Sequence, residues 1–259
     1  MPRMRVVSLN VNGIRAAHAK GLVSWLAAVG ADVVCLQEVR ALPGEIPAEV
    51  LALEGYSAHW NCAARKGYSG VGLITRLAPD RVVCGTGHGD FDPEGRVIRA
   101  DFGSLSLLSV YVPSGSSGSE RQSFKMLFLE HLLEHLAGLV AEGRDLVICG
   151  DFNVAHRPVD LKNWRANATL SGFLPEERAW VDRLLECGLV DTHRALVGPE
   201  AAHYTWWSSR GRARDNDVGW RLDYQFSTPN LAALARDARV YRERFFSDHA
   251  PVIIDYDHG

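Results

Sequence analysis

The sequence predicts an α/β protein in which helices cover β-sheets. Short runs rich in Val, Ile and Leu recur from end to end, stretches with apolar residues at helical spacing fall among them, and no Gly/Ser-rich or charged linker divides the 259 residues. A chain of this length with 47% hydrophobic residues can bury a sizeable core, and the missing linker favours one domain over 1–259 rather than two small ones.

In order along the chain, "MRVVSLNV" reads as a strand that runs into Asn10, and "AKGLVSWLAAVG" as a helix closing near Gly. "ADVVCLQEV" is a strand ending at Glu38; "GVGLITR" and "LSLLSVYVP" follow, the latter ending at Tyr111. "RQSFKMLFLEHLLEHLAGLVAEG" has helical periodicity and again stops near Gly. "DLVICGDFNV" delivers Asp151 and Asn153, "RLDYQFST" carries Asp223, and "APVIIDYD" is the last strand. The pattern fixes no pairing order, and no internal repeat is apparent.

A net charge of −3 argues against attachment to nucleic acid by bulk charge but leaves room for a basic face. Five cysteines, Cys35, Cys62, Cys84, Cys149 and Cys187, form no C-x-x-C pair, so a structural zinc site is not expected. "MPRMRVVSLNVNG" has neither a signal-peptide core nor a membrane-spanning length, from which a soluble, cytoplasmic protein without membrane attachment is expected.

Four strands run directly into a carboxylate or carboxamide: Asn10, Glu38, Asp151 with Asn153, and Asp223. An ionised carboxylate is costly to bury unless paired or metal-bound, so such residues belong at the rim of a sheet, either in plain turns or lining one cleft. "SDHAPV" adds Asp248 and His249 side by side. Neighbours within a strand point to opposite faces, so a shared site puts this pair on the loop entering the strand; the alternative is a surface turn. Oxygen ligands from Asp, Glu and Asn suit magnesium, which commonly binds through one or two carboxylates plus substrate phosphate. Beside a phosphodiester, a carboxylate could activate water, and His249 held protonated by Asp223 could donate to a phosphate oxygen. Asn10, Asn153 and Tyr111 could add neutral contacts. On the residues alone, metal-assisted phosphoester hydrolysis is the chemistry indicated.

"SLNVNGIRA", "CLQEVR", "GRVIRADF", "YVPSG", "CGDFNVAH", "GFLPEERAW", "VDTHRA", "YTWWS", "VGWRLDYQFS" and "SDHAPV" together resemble the exonuclease III-like abasic (AP) endonucleases of base-excision repair, within the endonuclease/exonuclease/phosphatase superfamily. The likeness runs in order from about residue 4 to residue 256. It implies a DNase I-like fold, a four-layered α/β sandwich of two packed mixed sheets flanked by helices, with the site at one end. It also implies a monomeric enzyme that uses Mg2+, or Mn2+ in its place, to cut duplex DNA 5′ to an abasic site, with 3′-5′ exonuclease or 3′-phosphodiesterase side activity. Carried over by position, Glu38 is the principal metal ligand, helped by Asn10 and Asp248; Asp151 orients or activates water and Asn153 positions it. Asp223 and His249 form the pair that stabilises the transition state, and Tyr111 contacts phosphate. Asn12 stands where some relatives carry Asp, so no ligand role is carried over to it.

The same resemblance assigns Trp206, Trp220 and Leu222 to an apolar pocket for the flipped abasic sugar, leaves Trp207 to the core, and places Arg210 where relatives insert Met or Arg into the base stack. Arg96 is the first candidate for a phosphate contact, ahead of Arg40, Arg212, Arg214 and Arg221. The loop "SGSSGSE" lacks the basic residue that some relatives extend across DNA. Competing readings are a phosphoesterase of the same fold acting on non-specific DNA or on lipid or inositol phosphates, and a non-catalytic DNA-binding module.

Overall fold

The computed structural model describes residues 3–257. One six-stranded sheet has the order β13-β14-β1-β2-β4-β3, formed by β1 (Met4–Asn10), β2 (Val33–Gln37), β3 (Ser57–Asn61), β4 (Val71–Thr75), β13 (Ala235–Val240) and β14 (Val252–Tyr256). The other has the order β5-β6-β7-β8-β12-β9, formed by β5 (Arg81–Cys84), β6 (Val97–Phe102), β7 (Leu105–Tyr111), β8 (Asp145–Asp151), β9 (Val190–Asp191) and β12 (Asp223–Ser227). A two-stranded ribbon, β10 (Trp206–Trp207) with β11 (Gly219–Trp220), stands apart from both.

Both sheets are mixed. Each has one parallel pair at its centre, β1 with β2 and β7 with β8, and antiparallel neighbours outside it. Central strands buried on both faces need unbroken apolar runs, which is what the sequence supplies. Val7 and Leu9 of β1 pack with Leu22, Trp25 and Leu26 of the helix Leu22–Val29 on the outer face. Val6, on the other face, joins Cys35, Leu73, Leu107, Val147 and Cys149 in the apolar layer between the sheets. Beyond the second sheet, Phe128, Leu129, Leu132, Leu136 and Leu139 of the helix Ser119–Ala141 and Trp180, Val181 and Leu184 of Pro175–Glu186 complete a third apolar layer. Helices, sheet, sheet and helices make the four-layered sandwich that the resemblance implied.

All seven expected strands and both expected helices are present. The helix ends follow the expected chemistry, Gly30 at φ 66° and Gly143 at φ 74° adopting the left-handed conformation that a side chain resists. Strands β3, β5, β6 and β13 were not legible: Arg99 and Asp101 interrupt "VIRADF", and the edge strand "ARDARV" exposes its charged residues. The helix "PEERAWVDRLLE" was hidden by its polar face. Cys35 and Cys149 are buried as free thiols, and no helix among the described residues is long and apolar enough to cross a membrane.

Arg221 corrects an expectation. It was a candidate for phosphate contact, but it is 1% exposed and inside the protein. Its Nε meets Asp160 Oδ1 at 2.7 Å, its Nη2 meets Asp191 Oδ2 at 2.8 Å, and its guanidinium lies 4.3 Å from the Tyr224 ring centre. A guanidinium forked between two carboxylates can be buried where a lone one cannot. The cluster pins the turn Pro158–Asp160 and β9 to the residues entering β12. Asp160→Ala would leave Arg221 short of a partner, and we expect a loss of about 3–5 kcal/mol in denaturant unfolding. A change below about 1 kcal/mol would mean that the network is not a structural anchor.

Candidate active site

The parallel pairs bring their carboxyl ends to the same rim. Tyr111 and Asp151 are register partners across β7 and β8, and Asp223 is the antiparallel partner of Asp151 across β12. From the facing sheet, Asn10 at the end of β1 donates through Nδ2 to Asp151 Oδ2 at 2.8 Å and to Glu38 Oε2 at 3.0 Å. Within the second sheet, Gly150 lets β8 lie close against β7 at this rim, because a Cβ there would lie 2.1 Å from the Val110 carbonyl oxygen.

The strand ends use one local device. Asn10 Oδ1 accepts the Asn12 N–H at 2.9 Å, Asp151 Oδ1 accepts the Asn153 N–H at 2.9 Å, and Ser247 Oγ accepts the His249 N–H at 3.0 Å. Each is a side chain capping the backbone two residues on; at Asn10 and Asp151 it turns the chain sharply out of the strand, and at Ser247 it shapes the loop that enters β14. Asn12, Glu38, Arg40 and Asn153 all have φ between 43° and 52°. Such backbone costs a non-glycine residue on the order of 1 kcal/mol or more, so its concentration at one cleft marks a constrained site. Lys125 supports the Asn153 turn by donating to its carbonyl at 2.7 Å, and Lys125 is itself paired with the fully buried Glu177. Glu177 also accepts the N–H groups of Gly172 and Leu174, which fixes the cleft wall at Ser171 and Gly172.

The resulting cleft has a volume of ≈ 330 Å³. Of the expected site residues, Glu38, Tyr111, Asp151, Asn153, Trp206, Trp220, Leu222, Asp248 and His249 line it. Asn10 does not; it is fully buried and cross-links Glu38 to Asp151. Asp223 lies behind His249, with Nδ1 to Oδ2 at 2.8 Å, while His249 Nε2 is 3.8 Å from Asp151 Oδ2. Sequence reasoning missed Thr205: its hydroxyl donates to Asp223 Oδ2 at 2.6 Å and accepts the N–H groups of Leu222 and Asp223. The only signal was its place beside the tryptophans of "YTWWS". Ser114, Ser116 and Asn12 also line the cleft.

Arg96 departs from expectation. It is 2% exposed, its Nε meets Glu94 at 2.5 Å, and its other nitrogens donate to Tyr111 O at 3.0 Å and Tyr68 Oη at 2.9 Å. With its donors engaged by the protein and its guanidinium 4.8 Å from the Tyr111 ring centre, it braces Tyr111 and does not present a charge to phosphate. Among the other basic candidates, Arg40 lines the cleft and pairs with Glu38 Oε1, and Arg210 and Arg212 are exposed. Arg214 stacks on Phe245 at 3.5 Å, and Trp207 is 2% exposed in the core.

Electrostatics divide the polar groups by role. Burial pushes the Asp151 carboxyl up to about 7; His249 pulls it down, Asp223 pushes it further up, and the donors on Asn153 and Asn10 hold it back. Burial alone would lower the His249 pKa, yet Asp223 and Asp151 together raise it to about 10. Tyr111 stays a phenol because burial and the carboxylates of Glu38 and Asp151 raise its pKa well above the usual value. Asp248 is shifted downward: burial opposes ionisation, but His249 and the donors on Asn12 and Trp206 outweigh it.

Four carboxylates, Glu38, Asp151, Asp223 and Asp248, therefore gather around two cations, Arg40 and His249, and this excess of negative oxygen fits a hard cation. Asp151, Asp223 and His249 place ligand atoms within 4.8 Å of one another, a spacing that could hold a metal. A protonated imidazole offers no lone pair, however, so the cleft-facing carboxylates of Glu38 and Asp248, next to Asp151, are the better ligands.

The endonuclease/exonuclease/phosphatase family profile matches residues 7–249. An exodeoxyribonuclease of Bacillus subtilis is 38% identical over 250 residues, covering 96% of this chain and 98% of that protein. The DNA repair nuclease APEX1 of Danio rerio is 36% identical over 253 residues, covering 97% of this chain and 81% of that one. An AP endonuclease from Archaeoglobus fulgidus superposes with a TM-score of 0.90 at 29% identity, over 98% of this chain and 100% of that chain. The 3′ phosphatase NExo from Neisseria, bound to a product DNA hairpin, also superposes at 0.90, with 30% identity over 98% and 100% of the two chains.

In the metal-free fold Asp151 keeps its proton to about pH 7, whereas the unfolded chain releases it near the ordinary carboxylate value. Its contribution to stability is complete below that ordinary value and is lost as pH rises through about 7. A divalent cation held by Glu38 and Asp248 is thus expected to raise the melting temperature more at pH 8 than at pH 6, where its charge must first drive the proton off the neighbouring Asp151, with a gain of about 2.7 kcal/mol at a hundredfold excess over Kd. Glu38→Ala should abolish the gain. A melting temperature unmoved by Mg2+ or Mn2+ at pH 8 would contradict the metal assignment.

Proposed function

The chain belongs to the endonuclease/exonuclease/phosphatase family, and we infer that it is a metal-dependent DNA repair nuclease that hydrolyses the phosphodiester 5′ to an abasic site in duplex DNA. The observation that carries this reading is the pairing of a buried carboxyl poised near 7, Asp151, with a cationic His249 at the foot of a cleft walled by Trp206, Trp220 and Leu222. Neutral water needs a base, a charged phosphate needs donors, and a sugar without its base needs a small aromatic-walled space; the cleft provides all three.

Magnesium, held by Glu38 and Asp248 beside Asn10, would supply charge neutralisation at the phosphate and at the departing 3′ oxygen. Asp151 accepts a proton from water, and the water oxygen forms its bond to phosphorus as the bond between phosphorus and the 3′ oxygen breaks. The 3′ oxygen keeps the electron pair and takes up a proton, leaving a 3′ hydroxyl and a 5′ deoxyribose phosphate. His249 and Tyr111 donate to the non-bridging oxygens, and Asn153 fixes Asp151 through its backbone N–H. Removal of 3′-terminal nucleotides or 3′ phosphate blocks uses the same groups, because the reacting bond is of the same kind. Arg210, exposed at a second hollow also lined by Trp206 and Trp220, would prop the opened duplex.

On an abasic duplex the expected products in Mg2+ are the two ends just named, with no cutting in EDTA; a 3′ unsaturated aldehyde would mean β-elimination and overturn the hydrolytic reading. Asp151→Asn should bind abasic DNA nearly as well as the parent while slowing single-turnover cleavage by ~10²-fold or more. Near-parental cleavage by that variant would remove Asp151 from the role of base. Arg210→Ala should weaken binding of abasic DNA more than intact DNA at one fixed salt concentration, and equal losses would make it a general backbone contact.

A further inference from the structure

Trp206 does two things at once. Its ring lines the cleft with Trp220 and Leu222, and its indole Nε1 donates to Asp248 Oδ2 at 2.9 Å. The other oxygen, Oδ1, accepts Asn12 Nδ2 at 2.8 Å. Both Asp248 oxygens are therefore held by neutral donors that fix the carboxylate plane without cancelling its charge. The backbone reinforces the link: Trp206 bridges His249 in antiparallel fashion, the Trp207 N–H donates to Asp248 O at 3.2 Å, and the Ala250 N–H donates to Thr205 O at 2.8 Å. The wall of the sugar space and the loop carrying Asp248 are thus one piece of structure. Trp220 faces the same space from the paired strand β11, and no hydrogen bond joins its indole to the charged centre.

We propose that Trp206 is a positioning residue for Asp248, so that its indole N–H sets the affinity of the centre for its divalent cation independently of the ring's contact with substrate. The proposal rests on the metal-dependent reading given above. Trp206→Phe retains an aromatic wall and removes the N–H, which separates the two roles. A carboxylate that loses an orienting donor turns more freely, and removal of such supporting partners lowers metal affinity by about tenfold or more.

The test is calorimetric titration of Mn2+ into DNA-free protein at fixed pH and salt, for the parent, Trp206→Phe, Trp220→Phe, Asp248→Ala and the Trp206→Phe/Asp248→Ala double variant, each checked for native unfolding behaviour in EDTA. Trp206→Phe is expected to weaken Mn2+ binding about tenfold, and Trp220→Phe by less than about twofold. In the Asp248→Ala background, Trp206→Phe should cause no further loss, as a residue acting through Asp248 requires. Superimposable isotherms for Trp206→Phe and a parent that cleaves abasic DNA would overturn the proposal and leave Trp206 as a wall alone. Equal weakening by both tryptophan variants, or the same loss with and without Asp248, would overturn it as well. A parent that neither binds Mn2+ nor cleaves would instead overturn the nuclease reading on which the proposal stands.

Discussion

Placing two aspartates around one imidazole in a buried cleft creates the charge arrangement on which the chemistry depends. Asp223 touches His249 Nδ1 at 2.8 Å, and Asp151 lies 3.8 Å from Nε2. Buried at the foot of the cleft, the carboxylates are little screened by bulk water, so the imidazole is held cationic against its own burial penalty. Asp151 feels that cation but also its own burial and the neighbouring Asp223, and it titrates close to neutrality. One constraint thereby produces both a proton acceptor and a fixed positive donor, the two groups that hydrolysis of a charged phosphodiester needs.

The fold makes this arrangement from the end of one strand, the start of another and one loop: Asp151 closes β8, Asp223 opens β12, and His249 sits on the loop entering β14. Parallel pairs at the centres of two packed sheets leave four carboxyl ends at one rim, and Asn10 ties the two sheets together across it through Glu38 and Asp151. Side-chain caps on Asn10 and Asp151 turn the chain out of β1 and β8, and the cap from Ser247 shapes the loop that carries His249 into β14. The left-handed backbone at Asn12, Glu38, Arg40 and Asn153 is the local cost of that geometry, offset by the burial of three apolar layers.

Much of this was legible because strand cores and turn caps leave marks in sequence. An apolar run stopping at an acid gave Glu38 and Asp151, whereas Asp223 opens β12 instead of ending a strand, and the adjacency of Asp248 and His249 located the final loop. The sandwich and the roles of individual residues came from the joint resemblance of motifs, since pairing order has no signature of its own. What escaped depends on tertiary placement. Arg96 and Arg221 look like any exposed arginine until Glu94, Asp160 and Asp191, distant or unremarked in the sequence, are brought against them. Thr205 is an ordinary hydroxyl until β12 places Asp223 beside it. The edge strand β13 shows no apolar alternation because Arg236, Asp237 and Arg239 are exposed along it, the charged side chains with which an open edge resists further strand pairing.

The central claim is that His249 is a buried cation at working pH. The most direct measurement is 15N NMR of the imidazole in metal-free protein, assigned with His249→Gln and titrated from pH 5 upward. A doubly protonated ring through pH 8 that loses its proton near 10 is expected. A ring that is already neutral at pH 7, titrating near the ordinary histidine value, would contradict it.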